Sequence, residues 1–213
     1  MKYEVIRVQV LDALRRAVEC GLIRGTSGNI SVRDFDSGMI AISPSARPYD
    51  TMTAEEIAVV APDGTWIDGP YKPSSETPMH TAVFRARADV GAIVHVHGLF
   101  STVMAMEGEV LPPSTPPQAE LAPIRIAPFA PPGSGELARL AVETLGVDGR
   151  AVLLRNHGSL CCGRDISAAL SAAIYTEEAA QTACYARLLG CFHPLDAAQI
   201  AAVKAALADY GAV

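Results

Sequence analysis

The stretch GAIVHVHGLF, Gly91 to Phe100, interrupts an apolar run twice, each time with a histidine. Read as a strand, its side chains alternate between two faces, so residues two apart look the same way. His95 and His97 then project together, while Val94 and Val96 enter the opposite layer. The pair serves either as two ligands of a metal ion or as two polar residues on a wetted sheet face.

Working outward, the pattern on both sides alternates helix with strand. Upstream, SSETPMHTAVFRAR (74–87) reads as a loop running into a helix, with Pro78 tolerated in its first turn. GMIAIS (38–43) and IAVVAP (57–62) read as strands, and PDGTW (62–66) as a hairpin-type Asp-Gly turn. The first helix carries Val8, Leu11, Leu14, Ala17 and Cys20 at helical spacing and stops at Gly21.

Downstream, Leu99 to Met106 is a short helix and LPPSTPPQAELAP (111–123) a proline-rich loop. IRIAPF (124–129) is a strand, and 134–146 a helix with Ser134 as its cap. AVLLRNHG (151–158) is a strand ending in His157. Residues 165–190 form a long alanine-rich helix closed by Gly190, and 196–210 a last helix. This alternation favours a layered α/β sandwich around one sheet, with the strand order left open.

With 213 residues, half of them apolar, the chain supports one core and a single domain over 1–213. A formal net charge of −6 argues against a nucleic-acid or anionic-membrane surface. An anionic small molecule must then be held by a local device. The N-terminal segment has acids and arginines inside it and reads as neither a signal peptide nor a membrane span. The five cysteines are odd in number and lack C-x-x-C spacing, which suits small hydrophobes in a reducing compartment. A cytoplasmic location is expected.

The candidate chemistry collects at strand ends. His95 and His97 stand together, and His157 lies within Asn156-His157-Gly158. Glu76, at the start of a helix, is a carboxylate favoured by the helix dipole. Three imidazoles and one carboxylate suit a borderline divalent metal, with Zn2+ first. His80 shares a helix face with Glu76; it is either a rival ligand or a packing and hydrogen-bonding histidine. His193, before Pro194, reads as surface. Gly25-Thr26-Ser27-Gly28-Asn29-Ile30-Ser31 is either an ordinary loop or a nest of backbone N–H groups for an anion. Hydroxyls from ISPSARPYD (42–50) and Ser74-Ser75 could close such a nest around a phosphate.

Taken in order, G-T-S-G-N-I-S (25–31), S-P-S-A-R-P-Y-D (43–50), S-S-E (74–76), H-V-H (95–97), P-F-A-P-P-G-S-G-E-L-A (128–138) and N-H-G (156–158) resemble the class II aldolase/adducin family. The L-fuculose-phosphate aldolase branch is the nearest in pattern. The resemblance implies a three-layer α/β/α sandwich on a largely antiparallel sheet and a cyclic homotetramer with sites between subunits. It implies zinc on His95, His97 and His157, with Glu76 as a ligand that swings off to act as base. It assigns a sugar phosphate's anion to Thr26, Gly28, Asn29, Ser45, Ser74 and Ser75. It also implies Glu rather than Asp at 76 for aldolases and decarboxylases, as against epimerases.

Two departures stand out. Where the family has glycine after the loop Ser/Thr, this chain has Ala46 and then Arg47. Alanine enters the left-handed region only at a cost, and Arg47 is either a direct anion ligand or a solvated loop cation. The family's loop tyrosine is also missing, since no tyrosine occurs between Tyr71 and Tyr175. Tyr210, near the C-terminus, is the remaining candidate proton donor. The expected activity is zinc-dependent cleavage of a ketose phosphate to dihydroxyacetone phosphate and an aldehyde, through an enediolate. The alternatives are decarboxylation of a phosphorylated keto acid, epimerisation of a ketose phosphate, and a non-catalytic adducin-type module, which would lack the ligands.

Overall fold

Ala92–Val96, within the Gly91–Phe100 stretch, forms the central strand of a nine-stranded sheet in the computed structural model, which describes residues 1–208. In chain order the elements are α1 (Glu4–Glu19), β1 (Asn29–Arg33), β2 (Ile40–Ile42), β3 (Ala58–Val60), β4 (Trp66–Asp68), α2 (Thr77–Ala86) and β5 (Ala92–Val96). They continue as α3 (Leu99–Met104), β6 (Val110–Leu111), α4 (Pro116–Leu121), β7 (Ile124–Ala127), α5 (Gly135–Leu145), β8 (Ala151–Leu154), β9 (Gly158–Gly163), α6 (Ile166–Leu188) and α7 (Ala197–Ala208). The sheet order is β4-β3-β2-β1-β5-β9-β8-β7-β6. Every neighbouring pair is antiparallel except β7 with β8. The expected α/β/α sandwich on a largely antiparallel sheet is what forms.

Alternation along β5 sorts the two faces. Ala92, Val94 and Val96 join Ile30, Val32, Leu153 and Cys161 in the core beneath α1 and α6. Ile93 joins Ile40, Ile42, Val152, Leu160 and Cys162 in the core beneath α2 and α5. His95, two residues after Ile93, therefore faces the α2 side. α6 lies on its face through Ala169, Ala172, Ala173, Thr176, Ala179, Ala180 and Ala183, small residues that let a helix approach the strands closely. A side chain at Gly163 would strike the backbone of Ala169, so β9 meets α6 at near-contact distance.

Several boundaries differ from the sequence reading. α1 buries Ile6, Arg7, Val10, Leu11, Ala13, Leu14 and Ala17, while Val8 and Cys20 are exposed. A stripe stepping three residues at a time slips about 60° per step around a 3.6-residue helix, so its ends leave the buried face. The strand over 151–158 ends at Leu154. Residues 155–157 form a tight turn with Asn156 at φ 56°, and β9 follows as an additional strand. The proline-rich loop contains α4, started by Pro116 and Pro117 in its first turn. Ser134 caps α5 as expected, accepting from the Leu137 N–H at 3.0 Å. All five cysteines are free; Cys161 and Cys162 are buried, whereas Cys20 and Cys191 are exposed.

Candidate metal and anion site

Three histidines meet at one end of the central strands. His95 is the ladder partner of Asn29 on one side and Leu160 on the other. His97 lies just past the end of β5, and His157 sits in the turn between β8 and β9. β5 and β8 both run antiparallel to β9, so their C-terminal ends share an edge. The ring centroids stand 4.9, 4.9 and 4.8 Å apart, and one nitrogen of each ring lies within 4.8 Å of the others.

The electrostatics keep these rings neutral. Burial lowers the pKa of all three; His95 falls well below the usual range, helped by its neighbours His157, His97 and His80. His157 falls to about 4, from burial first and His97 second. Neutral imidazoles are the metal-binding form. The His95 Nδ1–H donates to the Ser159 carbonyl at 2.9 Å, which leaves its Nε2 lone pair facing His97 Nε2 at 3.0 Å. Nitrogens sharing one tetrahedral zinc stand about 3.3 Å apart. His157 Nδ1 is buried without a hydrogen-bond partner. This convergent set of nitrogen donors fits a divalent cation.

Glu76 takes the N-cap position of α2 and is buried. Burial raises its pKa, partly offset by the backbone N–H of Gly133, and its Oε2 has no hydrogen-bond partner. The compact ligand group comprises the three imidazoles and does not extend to Glu76. Of the expected four-ligand set, the structure thus brings together three. Tyr210 lies outside the described residues.

Beside the histidines three loops converge. Gly28 has φ 83°, and a Cβ there would lie 2.8 Å from the His95 carbonyl oxygen, so this loop rests directly on β5. The Tyr49 hydroxyl donates to the Gly28 carbonyl at 2.7 Å and so fixes the loop's carbonyl direction. Ser45 and Ser74–Ser75 are tied together. The Ser45 hydroxyl donates to the Pro73 carbonyl and accepts from the Ser75 N–H, each at 3.1 Å. That hydroxyl braces the cradle and has no second proton to offer an anion. Ser74 Oγ accepts from the Glu76 N–H at 3.2 Å, which couples the cradle to the carboxylate.

Ala46 adopts φ 53°, so the left-handed turn persists without glycine. Arg47 is not a free loop cation; groups of this chain hold it. Its guanidinium pairs with Glu56 at 3.0 Å and lies 4.1 Å from the ring centroid of Tyr71. His80 is fully buried among hydrogen bonds and stands apart from the ligand group. Tyr49 and Gly133 were given no role by sequence reasoning, although both lie inside the quoted motifs. A Cβ at Gly133 would stand 2.8 Å from the Ser75 carbonyl oxygen, and that close approach is not encoded in local pattern.

Residues 8–184 match the family described as Class II Aldolase and Adducin N-terminal domain. The chain belongs to this family. It is 36% identical over 176 residues to 5-deoxy-D-ribulose 1-phosphate aldolase of Bacillus thuringiensis serovar kurstaki, covering 82% of each chain. It is 38% identical over 179 residues to 5-methylthioribulose-1-phosphate/5-deoxyribulose-1-phosphate aldolase of Rhodospirillum rubrum, covering 83% of this chain and 79% of that one. A solved L-fuculose 1-phosphate aldolase superposes with a TM-score of 0.91 at 30% identity, over 98% of each chain. Within this class II aldolase family, no helix among the described residues of the present chain is long and apolar enough to cross a membrane.

Proposed function

We propose that this chain is a metal-dependent aldolase that cleaves a ketose 1-phosphate to dihydroxyacetone phosphate and an aldehyde. The observation that carries the reading is the convergence of three neutral imidazoles, one with an orphaned buried nitrogen, beside a glycine-rich loop resting on the same strand. His95, His97 and His157 would hold the cation, zinc first for this donor set, with Glu76 as a ligand that can leave. Once bound, the cation supplies Lewis-acid stabilisation of negative charge on the substrate's oxygens.

The rest of the chemistry belongs to the chain. Thr26, Gly28, Asn29, Ser74 and Ser75 bind the phosphate, with Ser45 and Ala46 shaping the cradle and Arg47 bracing it through Glu56. In cleavage the C4 hydroxyl loses its proton, the C3–C4 bond breaks, and C3 gains a proton. Glu76 holds the C3 proton; its raised pKa brings it nearer to neutrality, where a general base works best. Tyr210 is the candidate partner for the C4 hydroxyl proton, accepting it in cleavage and returning it to the aldehyde oxygen in the reverse, condensation direction. The named substrates of the relatives make 5-deoxyribulose 1-phosphate and 5-methylthioribulose 1-phosphate the first to test. The reading includes a cytoplasmic homotetramer. Exposed Leu99 and Val103 on α3, Met106 just after it, and Leu188 and Leu189 at the C-terminal end of α6 offer apolar surface for a second subunit.

The test pairs metal analysis with proton exchange into dihydroxyacetone phosphate in heavy water. Wild type is expected to carry a stoichiometric divalent ion and to exchange one hydroxymethyl proton. Glu76→Gln should keep the ion on the three imidazoles and lose exchange by about 10²–10⁴-fold. Wild-type exchange in that variant would remove Glu76 from the mechanism, and a metal-free wild type would overturn the reading.

A further inference from the structure

The fully buried His80 takes no part in the chemistry above, yet it joins α2 to β1 beneath the anion cradle. Its Nδ1 lies 2.6 Å from Ser31 Oγ and its Nε2 lies 2.6 Å from Asn29 Oδ1. All three side chains are buried. Two proton arrangements fit these distances. In one, the Ser31 hydroxyl donates to Nδ1, and the Nε2–H donates to the Asn29 carbonyl oxygen. In the other, the Nδ1–H donates to Ser31, and the Asn29 amide is flipped to donate to Nε2. The second leaves the Ser31 hydroxyl proton with no acceptor among the described residues, in a fully buried position. An unmet buried donor is costly, whereas the first arrangement satisfies every proton in the chain of bonds.

We infer that His80 is a positioning residue that sets the polarity of Asn29, engaging its carbonyl oxygen so that its NH₂ group is the end left to the substrate phosphate. The opposite orientation would put an amide oxygen against a dianion. This rests on the phosphate-cradle reading of the proposed function. His80 also lies one helical turn beyond Glu76 on α2, so the same contact registers the carboxylate's helix against the anion-binding strand. Its neutrality follows from burial, which lowers its pKa to about 3.

Three measurements on the metal-loaded, full-length protein decide the matter. Nitrogen-15 NMR of labelled histidine should show His80 protonated at Nε2 and bare at Nδ1 at neutral pH; the reverse tautomer overturns the inference. Calorimetry with dihydroxyacetone phosphate and with unphosphorylated dihydroxyacetone should show about tenfold weaker binding of the phosphate ester alone in His80→Phe. His80→Gln, which keeps one amide donor for Asn29 and one acceptor for Ser31, should recover most of that loss. Unchanged binding in His80→Phe, equal weakening of both ligands, or no recovery in His80→Gln overturns it. If wild type binds neither ligand, the proposed function fails, and the tautomer measurement still decides the orientation of Asn29.

Discussion

Replacing His80 by glutamine should change how stability depends on pH, and by an amount the burial of this ring sets. His80 is fully enclosed, and its folded pKa of about 3 lies below the unfolded value of about 6.5. The unfolded chain therefore takes up this proton first as pH falls. The stability linked to His80 is fully present above about pH 6.5 and is lost as pH drops from there toward 3. At pH 5 the unfolded form is favoured by about 1.5 pH units times 1.36 kcal/mol, or about 2 kcal/mol, against almost nothing at pH 7. Any folded pKa below about 4 gives the same figure, because at pH 5 the folded ring is neutral in either case.

Glutamine does not titrate, so His80→Gln lacks this loss. Urea unfolding of chelator-treated wild type and variant, followed from pH 7.5 to 5, isolates it. His95, His97, His157 and Glu76 titrate alike in both proteins and cancel in the difference. The variant's deficit at pH 7, from its poorer fit, should shrink by about 2 kcal/mol at pH 5 and can reverse in sign. Parallel stability curves would show that His80 is charged or solvated in the folded protein, which would contradict its enclosure between Ser31 and Asn29.

Two further substitutions probe the loops around the site. Gly28→Ala forces a Cβ to 2.8 Å from the His95 carbonyl at φ 83°; it should cost at least about 1–2 kcal/mol of stability from the backbone conformation alone and weaken metal uptake, read by denaturant midpoint and metal titration. Ala46→Gly relieves the left-handed alanine at φ 53°; it should stabilise the protein by up to about 1 kcal/mol in the same assay, and a clear loss of stability would mean that the turn is not strained.

The fold was legible where pattern and period agree. Strand β5 and the Asp63-Gly64 hairpin were read correctly, because strict alternation and a turn residue each act over a few neighbours. Gly64 takes φ 91° and its N–H bonds to the Ala61 carbonyl. Strand β9 was missed because Gly158-Ser159-Leu160-Cys161-Cys162-Gly163 has no β-branched or aromatic residue to mark it. Its pairing to β5 and β8 is supplied by the sheet on either side. Helix α4 was hidden by prolines that also start helices.

The site divides along the same line. Each histidine of the ligand group announced itself locally, by a two-residue repeat or by an Asn-His-Gly turn. The fate of Arg47 did not, since Glu56 and Tyr71 reach it from other segments. His80 shows why such partners matter. From α2 alone it is a histidine one turn from an acid, with a packing or hydrogen-bonding role favoured over that of a rival ligand. Only β1, whose alternation places Asn29 and Ser31 on one face, fills both of its nitrogens and takes it out of the ligand set. A buried histidine with both nitrogens hydrogen-bonded has no lone pair left for a metal. Its effect on chemistry then passes through whatever its partners present to the substrate.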